Sequence, residues 1–164
     1  MSFIVEDGSG ITDANSYVTI DEFKEYWTDR NIDYTEKTDA EVQACLINAT
    51  QYIDNNYTFI GYKNSYYQGL EFPRYNAYDR NGYFVTGIPK CLKYSIYESG
   101  SISLSGTDLF SSSEDGIVEK TENVGPVETT YKYKNKATGQ TIYQIIDRLL
   151  RPILKCNSSN LLRY

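Results

Sequence analysis

The sequence predicts a mainly α (α+β) fold: a small bundle of about four helices, a long 56–88 connection and a β-hairpin near 117–133. Three observations carry this. Two Thr-x-x-Glu boxes open apolar runs at helical spacing. A wide apolar stripe covers residues 142–155. A stretch near 117–133 alternates at period two around Gly125-Pro126. The 164 residues, 40% of them hydrophobic, suit one compact domain over 1–155 with an N-terminal arm (1–18), followed by a C-terminal tail, 156–164.

The arm has Gly8 and Gly10 as turn points. Thr19 is the N-cap of a first helix, about 20–29, and Glu22 completes its capping box. Phe23, Tyr26 and Trp27 share one face of that helix. Thr38 and Glu41 repeat the device for a second helix reaching about Asn55, with Val42, Cys45, Leu46, Ala49, Tyr52 and Ile53 at helical spacing. Acidic residues in both first turns favour the helix dipole. Residues 56–88 have no helical period. Phe72-Pro73-Arg74 is expected to be extended, and Asn81-Gly82 suits a tight hairpin turn. The Asp79–Gly82 run lacks the alternating acids of a calcium loop. Pro89 stands where a third helix should begin. That helix uses Leu92 and Ile96 and is expected to fray at Ser99-Gly100-Ser101, opening a Ser/Gly-rich mobile loop over 99–116.

The hairpin strands are Ile117–Asn123 and Val127–Tyr133. Two strands cannot stand alone in water, so they pack on the helices or add to a neighbour's sheet. In the last helix Ile142, Ile145, Ile146, Leu149, Leu150, Ile153 and Leu154 form the apolar stripe, and Pro152 should end or kink it near Arg151.

Charge is unevenly spread. Residues 1–130 hold 9 basic and 21 acidic side chains, a sum of −12; residues 131–164 hold 7 basic and 1 acidic (Asp147), a sum of +6. An acidic body with a basic C-terminal part suggests contact between copies or docking on an acidic partner. The body would repel phosphate. The 17 tyrosines suit surfaces that are wet before assembly, although AT-rich coding would also enrich Tyr.

No catalytic constellation emerges. The chain has no His, which removes Ser-His and Cys-His mechanisms and most zinc sites. There is no phosphate-binding glycine motif, so no enzyme activity, cofactor or metal is expected. Cys45, Cys91 and Cys156 are far apart; a reducing compartment is expected, with Cys45 and Cys91 in the core. No signal peptide or membrane span is expected. Tyr26 with Trp27 could stack bases, or lie in the core. Tyr131 and Tyr133 with Lys132 and Lys134 could contact nucleic acid, or form a solvated lysine face over an inner tyrosine face.

The runs VEDGSGITDANSYVTIDEFKEYW, INATQYIDNNYTFIGYK, LEFPRYNAYDRNGYFVTGIPKCLKYSIYE and VGPVETTY, in this order and spacing, resemble the head–tail adaptor (head-completion, connector) proteins of tailed bacteriophages. Members of that family are often labelled DnaT-like single-stranded DNA-binding proteins. The resemblance spans Val5 to about Leu154. It implies a structural virion protein, made in the host cytoplasm and seated at the head–tail junction. There it would form a ring of about twelve copies beneath the portal. Its partners would be other copies of itself, the portal protein, tail or stopper/neck proteins, and double-stranded DNA passing through the bore without specific binding. No cofactor and no membrane are implied. By position, portal contacts would be Arg148, Arg151, Lys155, Leu161, Leu162, Arg163 and Tyr164. The connection without chemistry would offer a subunit interface at Tyr75, Tyr78, Arg80 and Tyr83, with Tyr131 and Tyr133 from the hairpin. The alternative role is a single-stranded DNA-binding protein of phage replication.

Overall fold

A computed structural model describes residues 2–110, 119–124, 127–132 and 143–155, the two middle segments as backbone alone. The chain divides into two compact units, Met1–Leu109 with Tyr143–Tyr164, and Phe110–Ile142.

In the first unit, α1 (Ile20–Thr28) and α2 (Asp39–Asn56) each start from a complete capping box. Thr19 Oγ1 accepts the Glu22 N–H while Glu22 accepts the Thr19 N–H, and Thr38 and Glu41 do the same. Each box satisfies two N–H groups that a helix start leaves without intrahelical partners. α3 (Lys90–Leu104) begins one residue later than the sequence suggested, with Pro89 as the N-cap. α4 (Gln144–Leu150) gives way to a 3₁₀ turn at Arg151–Ile153. Pro152 has no N–H for a continued α-helix, so the break falls where expected. α2 packs on α3, and α3 on α4. Phe23, Val42, Leu46, Ala49, Ile53, Leu92, Ile96, Ile146 and Leu150 lie fully inside.

Four expectations change. The third helix does not fray at Ser99 but continues to Leu104, and both Ser99 and Gly100 are buried. A Cβ on Gly100 would sit 3.2 Å from Phe23 Cε2 and 3.3 Å from Leu46 Cδ2, so glycine is what lets α3 approach α1 and α2. Ser95 and Ser99 donate their hydroxyls back to the helix's own carbonyls, which satisfies them without solvent. The predicted 99–116 loop therefore starts after the helix; Leu109 is buried, and residues 111–116 lie outside the described residues. Only one side of α4 and the 3₁₀ turn is buried: Ile146, Leu150 and Ile153 lie inside, but Ile145, a hundred degrees round the helix from Ile146, is 48% exposed, and Ile142 of the predicted stripe lies outside the described residues. Cys45 and Cys91 are free thiols and half-buried rather than internal, because each flanks a fully buried leucine, Leu46 or Leu92. Finally, Asn81-Gly82 does not make a two-residue turn. Tyr78 pairs with Phe84, Asp79 N–H donates to the Tyr83 carbonyl, and only Gly82 has positive φ, +82°. This is a three-residue loop closed by a left-handed glycine.

The 56–88 connection contains two short strands the sequence did not reveal, β1 (Tyr62–Lys63) and β2 (Arg74–Tyr75), paired antiparallel. Its start is stitched to the chain's last described turn. Ile60 N–H donates to the Ile153 carbonyl at 3.0 Å and Lys155 N–H to Thr58 at 2.9 Å.

In the second unit, β3 (Glu119–Val124) and β4 (Val127–Lys132) pair antiparallel from Glu119↔Lys132 to Val124↔Val127. The predicted hairpin stands over these residues; Ile117, Val118 and Tyr133 of the predicted strands lie outside the described residues.

Candidate functional site

Local physics builds the surface of the 57–90 segment. Arg74 is its clasp. Its Nε donates to the Ile60 carbonyl at 2.8 Å, Nη2 to Gly61 at 3.0 Å and Nη1 to the Glu71 carbonyl at 3.2 Å, while Nη1 also pairs with the Glu71 carboxylate. Three carbonyls from two stretches of backbone, Ile60-Gly61 and Glu71, are thus held by one planar guanidinium, a task lysine's point charge cannot do. Gly61 allows β1 to lie close against β2, because a Cβ there would meet the Tyr75 carbonyl at 2.5 Å. The Phe72-Pro73 peptide is cis.

A second network anchors the middle of this segment, at Glu71 and Phe72. Tyr17, from the arm, donates its hydroxyl to the Asp54 carboxylate on α2 (2.8 and 2.9 Å) and accepts the Phe72 N–H at 3.1 Å. Asp54 also accepts the Glu71 N–H at 3.0 Å. Burial pushes Asp54 up to about 6, and burial with the neighbouring carboxylate raises Tyr17 well above the usual phenol.

The frame leaves aromatic rings outside. Tyr62 and Tyr75, cross-strand partners, have ring centroids 5.6 Å apart. Tyr78 and Phe84, partners across the next turn, are 5.4 Å apart. Tyr66 and Tyr67, in the connection between the strands, are 5.5 Å apart, and Tyr83 lies in the turn that joins Tyr78 to Phe84. These seven rings are between 52% and 93% exposed, and they are most of the large exposed hydrophobic side chains among the described residues. Exposed rings at such density mark a binding surface more often than scattered single residues do.

Electrostatics separates this strip from the rest of the body. Residues 57–90 carry four basic side chains (Lys63, Arg74, Arg80, Lys90) against two acidic (Glu71, Asp79), net +2. Residues 1–56 carry three basic against twelve acidic, net −9. Lys63 and Arg74 are both engaged by Glu71. Arg80 and Lys90 are exposed and form no ion pair among the described residues.

Of the interface residues expected from sequence, Tyr75, Tyr78, Arg80 and Tyr83 fall on this strip and are exposed. Tyr62, Tyr66, Tyr67 and Phe84 join them without having been singled out. Tyr131 lies in β4, in register with Lys120, and Tyr133 lies outside the described residues. Arg148, Arg151 and Lys155 are exposed at the C-terminal end of the first unit; Leu161, Leu162, Arg163 and Tyr164 lie outside the described residues. The Tyr26–Trp27 stacking alternative resolves toward the core. Trp27 is buried, and Tyr26 is covered by the Arg30 guanidinium at 3.4 Å and donates to Glu98 at 2.9 Å. Burial, reinforced by Glu98, pushes the Tyr26 hydroxyl up to about 12.

A concave cleft of about 620 Å³ lies between the arm and α2, lined by Asp13, Asn15, Gln51, Asp54 and Asn55 among others; none of the seven exposed rings lines it. Its two carboxylates disfavour an anionic ligand. Among the described residues no group of three or more His, Cys, Asp or Glu could hold a metal ion, and no helix is long and apolar enough to cross a membrane.

The fold and this surface define a small α+β domain with an exposed tyrosine strip. The chain belongs to the family described as "Putative DnaT-like ssDNA binding protein", which it matches over residues 1–163. Neither the curated proteins nor the solved structures gave a match.

Proposed function

We propose that this protein binds single-stranded DNA through the 62–84 tyrosine strip. The observation that carries the reading is the coincidence of seven exposed rings with a stretch of net positive charge on an otherwise acidic body. Rings offer a face to any unstacked base, and cations track the backbone. Membership of a family described as single-stranded-DNA-binding supports the same ligand. No reaction or cofactor is part of this reading. Fluorescence anisotropy of a labelled oligothymidylate tests it: binding should appear at about 50 mM salt and weaken toward about 200 mM. Absence of binding at the lower salt would refute it.

A second reading is favoured by the net charge of −6, which opposes phosphate at long range. In it the protein is a head–tail adaptor of a tailed phage, ringed beneath the portal, and the tyrosine strip is covered by a neighbouring copy. Tyr and its neighbours suit such a contact. The acidic 1–56 stretch would then let double-stranded DNA pass without holding it. Mass spectrometry of purified virions and native mass measurement of the protein separate the two. An adaptor is present in particles and forms rings; a replication protein is absent from particles.

A further inference from the structure

The cations of the strip are not equivalent, and this sets how DNA would be held. Glu71 occupies Lys63 at 3.4 Å and Arg74 through its Nη1. Arg74 is also spent on three backbone carbonyls and is almost covered, its side chain 9% exposed. Arg74 cannot turn to a phosphate without undoing the frame that aims the rings, and Lys63 is already neutralised by the Glu71 carboxylate. Arg80 and Lys90 remain. Arg80 sits in the loop that joins Tyr78 to Phe84, and Lys90 opens α3 six residues after Phe84. Both are exposed and unpaired among the described residues.

Resting on the single-stranded-DNA reading, we propose that the ligand is held chiefly by bases stacking on the Tyr62–Tyr75 and Tyr78–Phe84 pairs, with only Arg80 and Lys90 contacting phosphate. Arg74 is a positioning residue that keeps β1 and β2 together. Three consequences follow from the chemistry. Binding is tolerant of base identity, because every base has a π-face. Duplex is rejected, because its bases are already stacked and its doubled phosphates meet an acidic body. Salt dependence is shallow: two phosphate contacts on a single strand give a slope of log K against log salt of about −1.4.

The test is a salt titration of oligothymidylate binding to the full chain, with variants checked for folding by circular dichroism. Wild type should give a slope of about −1.4, and the R80A/K90A double variant a slope near zero. Y75A should weaken binding by about 5- to 150-fold, the range for one lost stacking contact. R74K should weaken binding while leaving the salt slope unchanged, which separates positioning from phosphate contact. A wild-type slope of about −5, with Y75A neutral, would move the contact to the seven basic residues of 131–164 and overturn this mode while the DNA-binding reading stands. No binding at any salt would instead overturn the reading itself. A Y75A change in oligomeric mass with no change in DNA affinity would assign the strip to a subunit contact and overturn the mode as well.

Discussion

Replacing Gly61 by alanine should destabilise the frame of the tyrosine strip. Gly61 has φ of +71°, and a Cβ there would stand 2.5 Å from the Tyr75 carbonyl oxygen, 2.8 Å from Ala77 Cβ and 2.9 Å from Ala77 Cα. Two penalties add. A left-handed conformation costs a non-glycine residue about 1–2 kcal/mol, and overpacking against atoms that cannot rotate away costs about 1–3 kcal/mol. The sum is about 2–5 kcal/mol, which for a chain of this size lowers Tm by about 4–20 °C at about 2–4 °C per kcal/mol. Gly82 supplies the control. Its φ is +82°, but nothing lies within 4 Å of its added Cβ. G82A should therefore cost only the conformational part, a Tm loss of about 2–8 °C. Differential scanning calorimetry of wild type, G61A and G82A reads both numbers. If G61A and G82A lose the same amount, the close approach at Gly61 adds no penalty and the predicted difference is refuted.

Other perturbations probe the rest of the framework. Y17F leaves both the Asp54 carboxylate and the Phe72 N–H short of a partner, at a cost of about 1–3 kcal/mol by urea denaturation. Asp54 is raised to about 6 in the folded chain from an ordinary 3.8, so the folded state binds the extra proton between those values. Its contribution to stability is therefore fully present below about pH 4 and lost as pH rises through about 6. The stability difference between wild type and D54N, followed from pH 4 to 8, should move against wild type as pH rises; a flat difference would contradict the burial argument. T19A removes the N-cap of α1 and should cost about 0.5–2 kcal/mol, read by thermal melting. G100V should destabilise more than T19A, because the bulk meets Phe23 and Leu46 inside the core.

The parts of this fold legible in the sequence are those fixed by near neighbours. Thr19 with Glu22, and Thr38 with Glu41, declare helix starts within four residues, and the Pro152 break needs only the missing N–H. The hairpin's alternation sets its register in the same way. Ser99 and Gly100 read as breakers because their local preference is for turns; Phe23 and Leu46, more than fifty residues away in sequence, make a buried glycine the residue that fits. β1 and β2 are two residues each, too short for any periodicity, and they exist through the Arg74 clasp. For the candidate surface, Tyr75, Tyr78, Arg80 and Tyr83 could be chosen from a Tyr-rich segment without helical period. Tyr62 and Phe84 could not, since which ring points outward depends on the strand partner. The polar context of Tyr66 and Tyr67, between Ser65 and Gln68, was the available signal for those two.

Ultraviolet crosslinking of a bound oligothymidylate, followed by mass spectrometry of the crosslinked peptides, reads directly which side chains the DNA lies against. Adducts on Tyr62, Tyr75, Tyr78 or Phe84 are the predicted result. Adducts confined to residues 131–164, or none under conditions that crosslink a known single-stranded-DNA-binding protein, would contradict it.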